Sequence, residues 1–316
     1  MATHEVLATG AAAAAPVPHL RASRRRSYLR GEERFAWLMA GPSVLVLLAA
    51  TTIPLVGLVV MSTWRLDLTT PYRNRFLGLD NYMRMLTDAR FLEAVWITTL
   101  YTVVTVILQV SLGLALALAF FRLVRGMGLL RVVVLMPMIL APIVVGLSWK
   151  TLMLSQLYGL VDYAAVLVGF GSTPWLTDAR WALVSVIVIH TWQWTPFAFL
   201  VFLASLYSLP AEPFEAAMID RANAWQTFRY LTLPMLRPAI FIVVVLRTMI
   251  ALRAFEGIYA TTGGGPGTAT EILNLYAYRV SFNSLSLGYG AALGTVLLAA
   301  TAATSMVFFR LRRASE

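Results

Sequence analysis

The sequence predicts an all-α integral membrane protein with six transmembrane helices, and three observations carry that expectation. Hydrophobic residues make up 59% of the 316-residue chain and charged residues 13%, against about 45–50% and about 25% in soluble domains. The mean hydropathy is +0.75, more apolar surface than a soluble core can hide, so lipid must be the solvent for much of it. Six separate segments each hold the run of about 20 largely apolar residues that a spanning helix requires.

The first span is expected over Ala36–Met61, with Pro42 near its start and Pro54 as a kink. The second covers Ala94–Phe121, helped by the strong helix-forming stretch Leu112–Ala119. The third runs Val132–Met153, bent by Pro137 and Pro142, and the fourth Trp181–Leu206, with Pro196 inside. The fifth is Ala239–Ala260 and the sixth Leu287–Phe309. Prolines are tolerated inside spans because neighbouring helices satisfy the carbonyls they free. Residues 1–35 read as a disordered basic tail, 36–310 as the membrane domain and 311–316 as a short basic tail. A signal peptide is the competing reading of the N-terminus. The apolar run is longer than an h-region of about 7–15 residues and no small-residue cleavage site closes it.

An even number of spans places both termini on one side, and arginine bias makes that side the cytoplasm. The N-terminal tail carries Arg21, Arg24, Arg25, Arg26, Arg30 and Arg34. The second–third connection carries Arg122, Arg125 and Arg131, the fourth–fifth Arg221, Arg229 and Arg237, and the C-terminus Arg310, Arg312 and Arg313. The opposite loops mix signs, with Arg65, Asp67, Arg73, Arg75, Asp80, Arg84, Asp88, Arg90 and Glu93 after the first span and Asp162, Asp178 and Arg180 after the third. Residues 155–175 are apolar but interrupted by Gly and Asp, and read as an interfacial segment on the outer side. The net charge of +10 is thus topology control and anionic-lipid contact, not nucleic-acid binding.

The chain has no cysteine, which excludes disulfides, iron–sulfur clusters and thiolate zinc sites. Its histidines, His4, His19 and His190, are scattered, so no metal site is expected. It lacks a Gly-x-x-x-x-Gly-Lys-Ser/Thr phosphate loop, and Lys150, the single lysine, lies in an apolar run. No cofactor and no catalytic residues are expected.

The strongest local pattern is the fourth–fifth connection, residues 209–236, which physically reads as two short helices. Pro213 suits a first helical turn, with Glu215 near that helix's positive N-terminus. Asn223 is a plausible N-cap for the second helix and Pro234 its terminator. Ala216 and Ala217 keep one face thin enough for another protein to approach. Phe214, Trp225 and Phe228 supply anchors. An amphipathic loop resting on the membrane surface is the competing reading.

The string Glu215-Ala216-Ala217, Asp220 and Leu231-Thr232-Leu233-Pro234 resembles the EAA loop of ABC importer permeases. Arg221 stands where that family carries glycine. The stretches Phe76-Leu77-Gly78-Leu79-Asp80-Asn81-Tyr82, Trp192 with Pro196, Phe255-Glu256-Gly257-Ile258-Tyr259 and Thr262-Gly263-Gly264-Gly265-Pro266-Gly267 resemble segments of sugar permeases related to the larger maltose-permease subunit. The resemblance covers roughly residues 35–310. It implies the ABC importer permease (MetI-like) fold in the bacterial inner membrane. It also implies a loop, here Glu215, Ala216, Ala217, Asp220, Arg221, Ala222, Trp225 and Phe228, that docks a separate ATPase. A second permease, an ATPase dimer and an extracytoplasmic solute-binding protein would complete the importer. A glycine at position 221 would suit a left-handed helix end, which costs another residue about 1 kcal/mol. Either the turn is built differently here or Arg221 makes its own contact with ATPase or lipid.

Intramembrane charges are candidate functional residues. Arg247 shares a helical face with Ala251 and Ala254. In the maltose permease, the resemblance implies, the matching positions carry sugar-contacting side chains. Arg247 could then donate to solute hydroxyls or to an acid group, or be an interhelical arginine. Trp192, Gln193 and Phe197 on the fourth span complete the expected solute path, although tryptophans also mark membrane interfaces. Arg253 and Glu256, three apart, are expected to form a structural ion pair. His190 reads as a hydrogen-bonded interhelical residue. The rival readings are an ion-coupled secondary transporter, for which no internal repeat is visible, a membrane-embedded enzyme, which would need a cluster of ionisable residues, and an ABC permease for another solute, such as an amino acid, a peptide or glycerol phosphate.

Overall fold

In the computed structural model the described residues are 21–123, 128–156, 158–169 and 171–315. Part of the expected N-terminal tail, 1–20, together with Arg125, lies outside them. The chain divides into two units, Met1–Gly57 and Leu58–Glu316.

The first helix, α1 (Arg21–Ser62), begins well before Ala36, so residues 21–35 are helical where a disordered tail was expected. Its Trp37–Ser62 part is long and apolar enough to span, and no residue of its most apolar 18-residue window is buried within the chain. A two-stranded hairpin of β1 (Trp64–Arg65) and β2 (Arg75–Phe76) follows, then α2 (Asp80–Thr87). The next span is α3 (Ala89–Leu123).

The third span departs from a simple kinked helix. It is α4 (Gly128–Ile139) and α5 (Pro142–Ser148), bent by 97°, the latter prolonged by a π turn over Trp149–Met153. Pro142 at the start of α5 has no N–H to carry the helix through. The Leu140 carbonyl, which lies in the break itself, accepts from Gln193 Nε2 at 3.1 Å, which is how a break is tolerated inside a membrane. The outer segment forms α6 (Leu160–Leu167). It is pinned by Asp162, which accepts from Ser172 Oγ, Thr173 N and Trp175 Nε1 at 2.8–2.9 Å. The Thr173 N–H bond, with those from Ser172 and Trp175, holds this carboxyl below the usual carboxylate range.

The fourth span is α7 (Ala179–Tyr207), started by Asp178, whose side chain accepts from Arg180 N. The connection holds α8 (Glu212–Ile219), α9 (Ala224–Thr227), a π turn over Phe228–Thr232 and α10 (Leu233–Met235). The fifth span, expected as one helix, is α11 (Arg237–Leu252) and then, after a break at Arg253–Phe255, α12 (Glu256–Thr261). A loop leads to α13 (Leu273–Tyr278) and α14 (Leu287–Ser315), which includes most of the expected C-terminal tail. Among the described residues four helices are individually long and apolar enough to span, and up to six spans result when each of two bent pairs, α4 with Pro142–Met153 and Ala224–Met235 with α11, counts as one.

Side-chain partners fix the helix directions. Gln109 meets His190, Gly113 faces Ala198, and Phe121 meets Tyr207. Residue numbers rise together along α3 and α7, so these helices are parallel and the α4–α5 pair between them must make one full crossing. Arg131 bonds Tyr207 near the start of that pair, and Leu154 packs with Ile189 beyond its end. In α11 the order is reversed, with Leu236 among Phe202 and Leu206 and Ala251 beside Tyr101. In α14, Tyr289 reaches Asp88 and Phe308 meets Phe241, so it runs with α3. This alternation is what six spans require.

Small residues set how closely the helices approach. A Cβ on Gly113 would lie 2.5 Å from Ala198 Cβ and 2.9 Å from Phe199 N. A Cβ on Gly146 would lie 2.8 Å from Gly257 O and 2.9 Å from Ala260 Cβ, locking α5 onto α12. Lipid offers little hydrophobic drive between helices, so such close backbone packing is the main cohesive force. Around the α3–α7 contact Ala117, Phe120, Phe199, Phe202, Leu236 and Val243 form a buried cluster.

Candidate functional site

The connection after α7 turns where the chain stops being apolar. In α8 Pro213 occupies the first turn, and Glu212 and Glu215 lie near its N-terminus, as the helix dipole favours. Its end is a Schellman turn: Ala222 N donates to Ala217 O at 2.9 Å and Arg221 N to Met218 O at 3.1 Å. Arg221 has φ +53°. The turn is therefore the left-handed one that glycine suits, built with arginine at a cost of about 1 kcal/mol. Asn223 caps α9 in a full capping box with Gln226. Pro234 does not end the second helix. The wide π turn ahead of it makes room for the ring, helical geometry continues through Met235, and the 62° bend falls before α11, which has Pro238 in its first turn.

This elbow presents Glu215, Ala216, Asp220, Arg221 and Trp225 to the exterior. Ala217 is buried, and Ala222 and Phe228 are half-buried, with the Phe228 ring 5.7 Å from that of Trp225. Glu215, Asp220 and Arg221 make no side-chain hydrogen bond or ion pair among the described residues. Sequence reasoning missed Met218 and Ile219, which are 71% and 82% exposed. Apolar residues this exposed on a short helix were the available signal.

The expected solute-path residues separate into two sets. Gln193 and Ala254 line a cavity of about 90 Å³, together with Tyr101, Pro142, His190, Trp194, Arg253 and Glu256. Arg247 and Ala251 are fully buried behind it. Trp192 is 42% exposed and stands edge-on to Trp149 on the outside of the helix pair, and Phe197 does not line the cavity. The expected Arg253–Glu256 ion pair is not formed. The helix breaks between the two residues, so they do not share a face, and Arg253 Nε donates instead to Met249 O at 3.2 Å.

Arg247 meets α3 and α7 at once. Its Nε donates to Gln109 Oε1 at 2.7 Å and its Nη2 to His190 Nε2 at 3.2 Å, so that ring nitrogen is the acceptor. The guanidinium sits 4.6 Å from the Trp194 ring centre, and Gln109 Nε2 donates to His190 O at 3.3 Å. His190 is thus the interhelical hydrogen-bonded residue the sequence suggested.

The opposite end of the helices is closed by charge. Glu271, 1% exposed, takes two bonds from Arg90 at 2.6 and 2.8 Å and one from Arg279 at 2.6 Å. Arg279 also donates to Gly263 O, and Thr262 and Thr270 share a hydroxyl bond at 2.6 Å. This ties down the Gly-rich loop. Asp88 accepts the Arg90 and Phe91 N–H groups at one oxygen and the Tyr276 and Tyr289 hydroxyls, each at 2.6 Å, at the other. Burial pushes the Asp88 carboxyl up, and these hydrogen bonds, Tyr276 foremost, outweigh it and hold the group below its usual range. Asn81 donates to Ser62 O and Trp64 O. The partnerships of Glu271 with Arg90 and of Asp88 with Tyr276 and Tyr289 were not legible, because they join residues 181, 188 and 201 positions apart.

Comparison with known proteins converges on one family. The profile described as "Binding-protein-dependent transport system inner membrane component" matches residues 109–316. The trehalose/maltose transport system permease protein MalF of Thermococcus litoralis is 33% identical over 282 residues, covering 89% of this chain and 95% of that one. The trehalose transport system permease protein SugA of Mycobacterium tuberculosis is 32% identical over 280 residues, covering 89% of each chain. In fold, the chain resembles one from the crystal structure of a bacterial alginate ABC transporter in complex with an alginate-pentasaccharide-bound periplasmic protein. The TM-score is 0.76 and the identity 21%, with 90% of this chain and 95% of that one covered. With two thirds of its length matched by the family profile and curated relatives aligned almost end to end, the chain belongs to the inner-membrane permease components of binding-protein-dependent transport systems, multi-pass proteins of the ABC importer permease fold that are not enzymes.

Proposed function

We propose that the chain translocates a sugar or polyol, with the 209–236 elbow as the element that couples it to a separate ATPase. The elbow would face the cytoplasm, as the arginine bias favours. The observation that carries the reading is the elbow's surface. The Glu215, Asp220 and Arg221 side chains make no hydrogen bond or ion pair among the described residues, and Met218, Ile219 and Trp225 leave apolar area uncovered beside them. A short helix closed by a Schellman turn at its end and followed by a fully capped second helix, with an unsatisfied face, is built to seat on another protein. On this reading the chain pairs with a second permease, and an ATPase dimer grips both elbows. A binding protein delivers solute at the Asp88–Glu271 end. The names of MalF and SugA support a saccharide. A phosphorylated polyol such as glycerol phosphate is the alternative.

The cavity beside Ala254 and Gln193 is the proposed solute path. At about 90 Å³ it is well below the roughly 300–1,000 Å³ of ligand sites, so passage requires α7 to separate from α11 and α12. His190, Trp194 and Gln193 then offer rings and donors of the kind a sugar site uses.

The test is reconstitution of this chain with a candidate second permease, ATPase and binding protein in proteoliposomes, assayed against a panel of labelled sugars and polyols. Uptake is expected only with ATP and all components present. Uptake by the chain without an ATPase would contradict the reading, and a panel in which only phosphorylated polyols enter would favour the alternative.

A further inference from the structure

We propose that Arg247 is the latch that holds the solute path shut, joining α11 to α3 and α7 in the closed arrangement. This rests on the reading of the cavity as the solute path. Three observations carry it.

First, the attachments bridge the helices that have to part. Arg247 lies on α11, Gln109 on α3, and His190 and Trp194 on α7. His190 and Trp194 also line the cavity, so any widening on their side pulls on the guanidinium.

Second, the cation is not neutralised. Arg247 is fully buried, no carboxylate lies within ion-pair distance of it, and its Nη1 has no hydrogen-bond partner among the described residues. Burying an arginine without a counter-charge is costly, and two neutral acceptors and a ring face offset only part of it. A permanent structural staple would be better served by a carboxylate, as Glu271 shows at the end of the bundle. A contact that must form and break in each cycle is better served by neutral partners, which keep its net strength small.

Third, the closed cavity leaves no room for solute, so something has to hold it at that size. Tyr101 Oη beside His190 is also buried and has no hydrogen-bond partner among the described residues. Thus the polar groups at this level are incompletely satisfied in the closed arrangement, and opening it to water or solute hydroxyls lets them pair.

The chain has no cysteine, so a single Ala254→Cys substitution places one thiol on the cavity wall. The experiment is the rate at which a membrane-impermeant maleimide labels it in membranes containing the full chain with its partner subunits, without ATP or solute. Arg247→Met is expected to raise the rate by about tenfold, since the cost of burying the cation without a counter-charge leaves its two hydrogen bonds only a small net strength. Gln109→Glu turns the latch into an ion pair and is expected to lower both labelling and ATP-driven uptake. A thiol at the 80%-exposed Tyr72 is the control and should label equally in every background, which separates opening of the path from misfolding. Unchanged Ala254→Cys labelling in both variants, with the control unchanged, overturns the latch. If Arg247→Met does not assemble, Gln109→Glu decides alone, since faster or unchanged labelling there overturns it. Because the labelling uses neither solute nor ATP, failure of the latch leaves the transport reading standing, whereas ATP-independent uptake would remove that reading without touching the latch.

Discussion

At the end of the bundle that carries Asp88 and Glu271, these two carboxylates are fully spent inside the chain. Glu271 holds two arginines, and Asp88 holds two backbone N–H groups and two phenols. At the other end the elbow leaves the Glu215, Asp220 and Arg221 side chains without partners among the described residues, on a backbone held by the Schellman turn of α8 and the capping box of α9. The difference separates scaffold from interface. Charges that pair within the chain fix the shape of a Gly-rich loop and the start of α3. Charges left over sit where a partner can take them. Substitutions at the first end should lower stability, and substitutions at the second should spare stability and change coupling.

The largest expected effect is at Glu271. Glu271→Ala leaves Arg90 and Arg279 facing each other without a counter-charge, and should cost about 3 kcal/mol, the lower end for breaking a buried pair because Arg90 keeps some water. Thermal unfolding in detergent would register it as a drop in Tm, and an unchanged Tm would erase the distinction between the two ends. Gly113→Val comes next. The added carbon atoms meet Ala198 and the Phe199 backbone, and overpacking of this kind costs about 1–3 kcal/mol.

Asp88→Asn is expected to cost about 1 kcal/mol, through a weaker cap and weaker phenol bonds. It also has a pH signature. The Asp88 carboxyl is held below the ordinary aspartate value in the folded state, so its contribution is present above that ordinary value and lost as pH falls through the lower folded value. The variant should lose part of the acid-side fall in Tm. Arg221→Gly has the smallest effect and the opposite sign, a gain of about 1 kcal/mol or less from relief of the left-handed residue. If it lowers coupling without lowering Tm, Arg221 contacts the ATPase.

Much of the fold was legible because membrane spans are long, apolar and bounded by arginines. Span number and order hold, while two of the six spans turn out broken. Pro137 and Pro142 announced a bend but not one of 97°, since its size depends on Gln193 taking the Leu140 carbonyl from another helix. The break at Arg253–Phe255 carried no proline at all. Reading the fifth span as one helix paired Arg253 with Glu256, and the break undid that pair. The elbow was legible in detail, including Asn223 and Pro213, because caps and turns are local. Only Pro234 misled, since a π turn can absorb what an α turn cannot. The solute path was half legible. Helical periodicity placed Arg247, Ala251 and Ala254 on one side, but could not tell that Arg247 points at Gln109 and His190 and leaves the cavity wall to Ala254. Membership in the binding-protein-dependent family sets aside the ion-coupled reading that the sequence left open.

The central claim is that the elbow transmits work between this chain and an ATPase, and Glu215→Ala in the reconstituted complex tests it most directly. The measurement is ATP-driven uptake and ATPase rate in the same proteoliposomes, with Tm as control. Uptake should fall by about tenfold or more, as removal of a central interface residue does, with ATPase no longer responding to the loaded binding protein and Tm unchanged. Full uptake with normal stimulation would contradict the account.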